Sequence, residues 1–346
     1  MQKTILVTRF SALGDVAMTI PVMRQVLADN PDVQIVFVSN KNWAALCEGI
    51  PRLTFFPADV KGIHKGVGGL YKLFTAIRKA HKIAAVADLH NVLRSKIVRT
   101  FFRLAGIPVA TIDKGRAGKK ALTRKADKLL HPLKTTLERY ASVFTALGLP
   151  CNLYPAKQVF PPQRLNSEIT AVIGAKNGQT WIGVAPFATY REKTYPLAQM
   201  AKVLAALAAG EQQKVLLFGG GAGEIAQLTR LADEYPGMVV VAGRFSLREE
   251  LAIISQLDVM ISMDSANMHL ASLFGIPVIS VWGATHPFAG FMGYGQSMEN
   301  AVQITDLACR PCSVFGNKPC YRGDHACMEW LEPARLLEKT AKYIRS

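Results

Sequence analysis

Short apolar runs alternate with apolar positions at helical spacing through the first half of the chain. The runs are four to six residues long and predict strands, whereas recurrence every three or four residues predicts helices. The predicted elements are strands at Thr4–Val7, Ile35–Val38 and Ile83–Asp88 and helices at Val16–Leu27 and Val92–Leu104. Strands that alternate with helices are typical of parallel βαβ units in a doubly wound sheet.

The second half repeats this alternation with clearer boundaries. Its predicted strands are Trp181–Ala185, Lys214–Phe218, Val239–Val241, Val259–Ser262 and Val278–Val281. Its predicted helices are Leu197–Ala209, Glu224–Tyr235, Leu247–Gln256 and Ala266–Leu273. A proline-containing stretch at Cys151–Asn166 separates the halves, so we predict an α/β chain with domains at 1–160 and 161–332. Residues 333–346 are expected to form a terminal helix, a candidate to pack back on the first domain.

Composition and charge narrow the classes of partner. Half of the 346 residues are apolar and 19% are charged, which is typical of a folded protein. No apolar run approaches the roughly 20 residues of a spanning helix, and no signal peptide is recognisable, so the expected location is the cytoplasm. The net charge of +16, concentrated at Lys114–Lys134 and in the preceding arginines, indicates an anionic partner or else a solubilising surface. Nucleic acid is disfavoured because finger, RNP-like and zipper motifs are missing.

The first predicted strand leads into Arg9-Phe10-Ser11-Ala12-Leu13-Gly14-Asp15. Gly14 permits close approach of the backbone to a ligand, and Asp15 lies near the start of a helix. A carboxylate there can simply cap the helix, since free N–H groups and the helix dipole stabilise it. It can also act as a general base toward an acceptor hydroxyl. The sequence leaves both roles open.

Two loops of the second half carry groups that suit a nucleotide. Thr189 and Lys193 precede a helix that begins near Pro196, and a hydroxyl with a cation beside a helix N-terminus suits a diphosphate. Gly219 and Gly220 end a strand without a Walker A or G-x-G-x-x-G pattern. That turn is either a plain β–α connection or a ribose site in which Glu224 accepts hydrogen bonds. For the loop that carries Thr189 and Lys193, the alternative is a polar surface loop without a ligand.

The segment from Asp258 to Pro287 is the most informative part of the sequence. Asp264 and Ser265 open a predicted helix, where they either cap it or leave its amides open for phosphate beside the small Ala266. His269 follows on the same helix, and an isolated histidine is more often a core residue. Gly275-Ile276-Pro277 then leads into the strand Val278–Val281, and Trp282–Pro287 forms another strand-end loop on the same side.

Four of the six cysteines fall within nineteen residues, at Cys309, Cys312, Cys320 and Cys327. In a reducing cytoplasm four thiolates could close a tetrahedral zinc site, although the spacing lacks a second C-x-x-C. Free, packed thiols are the alternative.

Together these motifs resemble glycosyltransferase family 9, the lipopolysaccharide heptosyltransferases of bacteria. The resemblance rests on Asp264–Ala271, Phe274–Val278 and Trp282–Pro287, with Ser11–Asp15 and Lys193–Pro196 in the family's order. It implies a GT-B fold, in which two Rossmann-like domains face a central cleft, with the acceptor in the first domain and an ADP-sugar in the second. It also implies transfer with inversion, without an obligatory metal in the chemistry and with no other required cofactor.

The resemblance assigns a role to each motif. Asp15 would be the general base, and Thr189 and Lys193 would hold the diphosphate, with Lys193 assisting catalysis. Phe245 would lie near the adenine, and the remaining donor contacts would come from Gly219, Gly220, Glu224, Asp264, Ser265, Ala266 and His269. The acceptor contacts would come from Ser11, Gly14, His90 and Arg94.

Two residues depart from the family pattern. Ala188 stands where a second hydroxyl residue is usual, and Ala266 replaces a glycine. The resemblance therefore supports a heptose as the transferred sugar less strongly than it supports the fold. The predicted function is transfer of a heptose from ADP-heptose to an anionic inner-core or lipid A-type glycolipid, with peripheral contact at the inner membrane. The alternatives are a GT-B-type nucleotide-sugar epimerase and a non-catalytic protein that binds an anionic surface or nucleic acid.

Overall fold

The computed structural model describes residues 2–153, 158–235 and 237–344, so residues 154–157 of the predicted inter-domain stretch lie outside the described residues. The first sheet contains β1 (Lys3–Thr8), β2 (Val33–Asn40), β3 (Leu53–Ala58), β4 (Ile83–Asp88) and β5 (Val109–Thr111). The second contains β6 (Thr180–Ala185), β7 (Gln213–Leu217), β8 (Met238–Val240), β9 (Val259–Met263), β10 (Val278–Val281) and β11 (Ala301–Val302).

The helices connect successive strands. In chain order they are α1 (Leu13–Ala17), α2 (Thr19–Asp29), α3 (Gly66–Ala80), α4 (Leu93–Leu104), α5 (Arg116–Thr123), α6 (Thr136–Thr145), α7 (Ser167–Ile173), α8 (Leu197–Ala208), α9 (Ala222–Glu234), α10 (Leu247–Ile254), α11 (Ala266–Leu273), α12 (Ala326–Glu329) and α13 (Pro333–Ala341). Short 3₁₀ turns lie at Lys41–Cys47, Arg191–Lys193, Pro287–Ala289 and Met298–Asn300. In the described chain no helix is long and apolar enough to cross a bilayer.

Both sheets are parallel throughout, as predicted. The strand order is β3-β2-β1-β4-β5 in the first sheet and β11-β10-β9-β6-β7-β8 in the second. The central strands β6 and β9 are buried along their whole length, because helices cover both faces of a doubly wound sheet. Each sheet therefore forms the middle layer of its own α/β unit.

The chain divides into two compact units whose boundaries differ from those of the predicted domains. Unit 1 comprises Met1–Lys114 and Lys134–Pro155, and unit 2 comprises Gly115–Leu133 and Ala156–Ser346. The basic segment 115–133, which the sequence placed in the first domain, packs with unit 2. The buried Lys119 lies over the Phe291 ring at 4.2 Å, and the Leu133 amide donates to the Phe288 carbonyl at 2.9 Å. A cation over an aromatic face is a favourable contact that sequence spacing does not show.

The terminal helix also belongs to unit 2. The sequence offered it as a candidate to return to the first domain, but α13 packs against α8, β9 and β10. Leu336 of α13 is fully buried in the core of unit 2, and the helix begins at Pro333, where a missing N–H costs nothing.

The single helix predicted from Val16 to Leu27 is two helices, α1 and α2, which meet at Met18.

Glu250 on α10 predicts a pH-dependent stability. Burial raises the pKa of this carboxyl to about 7, from an ordinary value of 4.5. The folded state therefore binds the proton more tightly than the unfolded chain, and stability is lost as pH rises from 4.5 through 7. We expect Glu250→Gln to raise the free energy of unfolding by about 1–2 kcal/mol at pH 8 and to change it little at pH 4.5.

Urea unfolding at the two pH values measures this difference. The matched control is Glu234→Gln, which neutralises an exposed carboxylate on α9 and should leave stability nearly unchanged at both. Equal effects of Glu250→Gln at pH 4.5 and pH 8 would contradict the titration argument.

Candidate active site

The loops that follow β1 and β4 meet at the switch point of the first sheet. The chain leaves β1 toward β2 on one side, whereas β4 pairs with β1 on the other, so the loops diverge and leave a crevice. The Arg9 guanidinium donates to the Leu89 carbonyl at 2.9 Å, and the Phe10 amide donates to Nδ1 of His90 at 3.2 Å. The loop after β1 and the loop after β4, about 80 positions later in the chain, therefore contact each other at one edge of the first sheet.

Asp15 lies at this edge on the first turn of α1. Its Oδ2 accepts from the Ala12 amide at 3.3 Å and pairs with the buried Arg9. The side chain of Asp15 is 31% exposed, compared with 9% for Arg9, so the carboxylate is fixed on one side and open on the other. Asp15 therefore caps α1, and its open side leaves a role as general base available. Arg9, to which the sequence assigned no role, is the residue that orients Asp15.

His90 is held as a neutral imidazole. Burial and the Arg9 charge lower its pKa to about 3. Because Nδ1 accepts from the Phe10 amide, the ring proton is on Nε2, which lies 3.4 Å from the Ser11 hydroxyl. His90 can thus donate one neutral hydrogen bond at the same edge where Ser11 is exposed.

Asp88 is the residue that organises this loop, and the sequence did not assign it a role. It is fully buried at the end of β4. Its Oδ1 accepts from the backbone amides of His90 and Asn91, each at 2.9 Å, and its Oδ2 pairs with Arg99 at 2.8 Å. A carboxylate that ends an otherwise apolar strand is the signal that could have identified it.

The other predicted acceptor residues lie on the same elements. Gly14 is buried within α1, and Arg94 is exposed on the first turn of α4. The structure thus brings Ser11, Asp15 and His90 together and places Arg94 on the helix that follows the His90 loop.

The second sheet has its switch point between β6 and β9. The loop after β6 carries Lys193, and the loop after β9 carries Asp264. The Lys193 amino group donates to the Asp264 carbonyl at 2.5 Å and lies 3.4 Å from its carboxylate. Both side chains are largely buried, at 14% and 8% exposure. Two residues predicted from separate motifs therefore form one charged pair.

The stem of Lys193 is held by residues that the sequence did not indicate. A Cβ on Gly316 would lie 2.4 Å from Cγ of Lys193, so only glycine leaves room for the lysine, and the positive φ of 77° at Gly316 also favours glycine. The Ala284 amide donates to the Glu192 carbonyl at 3.1 Å, which ties the Lys193 turn to the loop after β10. The cation is therefore fixed in position before any ligand binds.

Helix α11 begins at the same point. Ser265 is its N-cap residue but makes no capping hydrogen bond with its side chain, which instead lies 3.2 Å from the Ser262 hydroxyl. Ala266 is the first helical residue, so the first amides of α11 are not covered by a large side chain. His269 is buried one turn further along, and its role toward the donor stays a prediction.

The remaining predicted donor residues lie on neighbouring strand ends of this sheet. Thr189 is exposed after β6, and Phe245 is half-buried after β8. Glu224, on the first turn of α9, accepts from the Gly220 amide at 2.8 Å, so it stabilises the Gly219–Gly220 turn. Its role toward a ribose stays a prediction.

The four late cysteines are free thiols that line one small pocket of about 10 Å³. Burial raises the pKa of Cys312 above its ordinary value and that of Cys327 to about 12. Within the described ranges no group of three or more histidine, cysteine or acidic side chains is arranged to hold a metal ion. The Cys312 amide donates to the Ala284 carbonyl at 3.0 Å, so this segment supports the loop that holds Lys193.

Comparison with known proteins decides the family. A model of glycosyltransferase family 9 (heptosyltransferase) matches residues 71–318, more than half of the chain. The chain belongs to glycosyltransferase family 9. This confirms the resemblance read from the motifs, and it makes the protein a glycosyltransferase of the heptosyltransferase family.

Individual relatives agree with this family membership. Lipopolysaccharide heptosyltransferase 3 of Escherichia coli is 26% identical over 289 residues, which cover 79% of this chain and 81% of the relative. Two solved structures share the fold at low identity: a family 9 glycosyl transferase from Veillonella parvula (TM-score 0.74, 18% identical) and E. coli ADP-heptose lps heptosyltransferase II (TM-score 0.70, 19% identical). Each match covers 99% of this chain and 98% of the other. The predicted GT-B fold is confirmed, and the comparisons do not favour the epimerase or the non-catalytic alternative.

Proposed function

We propose that this family 9 glycosyltransferase transfers a heptose from ADP-heptose to a hydroxyl group of an anionic lipopolysaccharide-type glycolipid, with inversion at the anomeric carbon. The observation that carries the proposal is the position of Lys193. A fixed ammonium group lies at the switch point of the second sheet, beside the open start of α11. Both features favour a diphosphate at that place.

The proposed binding of the sugar donor, ADP-heptose, follows from the hydrogen bonds that Lys193 can still make. An ammonium group has three N–H donors, and the Asp264 carbonyl and carboxylate engage two of them. Within the described residues the third is available to a phosphate oxygen. Thr189, Ser265 and the first amides of α11 would add neutral donors, and Phe245 and the Gly219–Gly220 turn would contact the nucleoside. Negative charge develops on the departing ADP, so these groups stabilise the transition state more than the ground state.

The acceptor half centres on Asp15. Both contacts given above for this carboxylate use Oδ2, so within the described residues Oδ1 is available to accept the proton of an acceptor hydroxyl. The acceptor oxygen then forms a bond to the anomeric carbon, the bond from that carbon to the ADP phosphate breaks, and ADP leaves with the electron pair. His90 and Ser11 would bind neutral groups of the acceptor, and Arg94 a phosphate or carboxylate.

A thermal-shift screen tests the donor assignment. A ligand that binds only the folded state at 100 times its Kd stabilises the protein by about 2.7 kcal/mol. We expect ADP and ADP-heptose to raise the unfolding midpoint by several degrees and matched concentrations of UDP- and GDP-sugars to raise it far less. Equal stabilisation by UDP- or GDP-sugars would contradict the ADP assignment. Consumption of ADP-heptose without any acceptor would contradict transfer.

A further inference from the structure

Arg9 places a buried positive charge at the crevice of the first sheet. It follows β1 directly, and its side chain is almost fully removed from solvent. Moving a guanidinium group out of water has a large free-energy cost, which only well-placed partners offset. Within the described residues the Nε atom of Arg9 has no hydrogen-bond partner. An apolar side chain would avoid both costs, so stability alone does not explain an arginine at this position.

The two Nη atoms of Arg9 join the two sides of the crevice edge. Nη1 donates to the Leu89 carbonyl at 2.9 Å, and Nη2 pairs with Oδ2 of Asp15. Leu89 lies between β4 and His90, whereas Asp15 lies on α1. The donors of a guanidinium group point in fixed directions within one plane. A single side chain therefore sets the position of the Asp15 carboxylate relative to the loop that carries His90.

Arg9 is itself held from several sides. The Tyr140 ring of α6 is fully buried, with its centroid 5.9 Å from the guanidinium carbon, and its hydroxyl donates to the Asp15 backbone carbonyl at 3.4 Å. The Arg9 amide donates to the Val38 carbonyl at 3.2 Å, and the Arg9 carbonyl accepts from the Ser39 hydroxyl at 2.6 Å. The ion pair is therefore built into the core of unit 1 and does not have to be ordered when a ligand binds.

We propose that Arg9 is a positioning residue for glycosyl transfer, which holds Oδ2 of Asp15 so that Oδ1 takes the proton of the acceptor hydroxyl. The inference rests on the function proposed above, in which Asp15 is the general base. The proton moves from the acceptor oxygen to Oδ1, while Arg9 keeps all of its protons and forms no bond to the substrate. The rate depends steeply on the alignment of base and hydroxyl, since a displacement of about 1 Å can lower it about 100-fold.

Arg9→Lys separates the position of the carboxylate from the charge beside it. Lysine keeps the positive charge, but its single ammonium group does not reproduce the planar fork that engages Asp15 and Leu89 together. We expect kcat to fall about 10–100-fold, with the affinity for ADP-heptose unchanged. Release of ADP in the presence of an anionic lipopolysaccharide-type acceptor measures kcat, and calorimetric titration measures donor affinity. Arg9→Met, which also removes the charge, should lower kcat at least as far.

The double variant Arg9→Lys/Asp15→Asn tests whether Arg9 acts through Asp15. In the Asp15→Asn background the group that Arg9 positions no longer takes a proton, so Arg9→Lys should lower kcat by less than about twofold. A loss as large as in the wild-type background would show that Arg9 acts elsewhere, and the inference would be wrong. Normal kcat in Arg9→Lys with a large loss in Asp15→Asn would overturn the positioning role alone. Normal kcat in Asp15→Asn would overturn the proposed general base.

Arg52→Lys is the matched control for lost packing and hydrogen bonds. Arg52 also donates to backbone carbonyls of unit 1, those of Asn30, Pro31 and Val33, at 2.9, 3.2 and 2.7 Å. It precedes β3 and therefore lies at the edge of the sheet opposite to Asp15. We expect this variant to lower the unfolding midpoint at least as much as Arg9→Lys and to leave kcat within about twofold. If it lowers kcat as much as Arg9→Lys, general destabilisation of unit 1 explains the loss, and Arg9 has no positioning role.

Discussion

Asp15→Asn is expected to lower kcat by about 10²–10⁴-fold, which is the usual contribution of a general base. Asparagine keeps the shape of the side chain and can still accept from the Ala12 amide, but it cannot take a proton from the acceptor. The binding of ADP-heptose should change little, because the proposed donor-binding residues lie on unit 2. Single-turnover kinetics together with calorimetric titration of the donor separate the two effects.

The control for this substitution is Asp32→Asn, an exposed carboxylate in the turn between α2 and β2 of the same unit. It should leave kcat within about twofold, since surface changes away from a site have small effects. An Asp15→Asn enzyme with normal kcat would show that Asp15 only caps α1. A variant that loses donor binding to the same extent would place Asp15 in the wrong half of the reaction.

Lys193→Ala is expected to lower kcat by about 10²–10³-fold and to weaken ADP binding as well, because it removes the cation that we propose stabilises the developing charge of the leaving group. The substitution also leaves the Asp264 carboxylate buried without its partner, which lowers stability by about 3–5 kcal/mol. Activity is therefore measured below the unfolding midpoint of the variant, with donor affinity measured in the same buffer.

Two further variants separate the loss of the positive charge from the loss of stability. Lys193→Arg keeps the charge but is broader than the space beside Gly316 allows, so it should restore stability more than activity. Lys202→Ala removes an exposed lysine from α8 and should behave as wild type. Wild-type kcat in Lys193→Ala would contradict a role for this cation in departure of ADP.

The amino-acid sequence by itself identified the fold class and most of the strand ends at which the candidate site residues lie. The run Val259–Ser262 is apolar enough to be a buried strand, and the small, polar residues after it mark the start of α11, so Asp264 was placed correctly. The alternation of short apolar runs with apolar positions at helical spacing was weaker around β3 and α3. The helix there begins with Gly66, Gly68 and Gly69, which are poor helix formers, and tertiary packing at His64 overrides that preference.

Only the tertiary structure decided which strand ends meet. Lys193 and Asp264 lie 71 residues apart and Phe10 and His90 lie 80 apart, and both pairs form because the strand order reverses at β6/β9 and at β1/β4. It also decided that segment 115–133 packs with unit 2. Local patterns of apolar residues record which side chains are buried, but strand order and the choice of packing partner depend on long-range contacts. Those contacts leave no periodic signal in a single sequence.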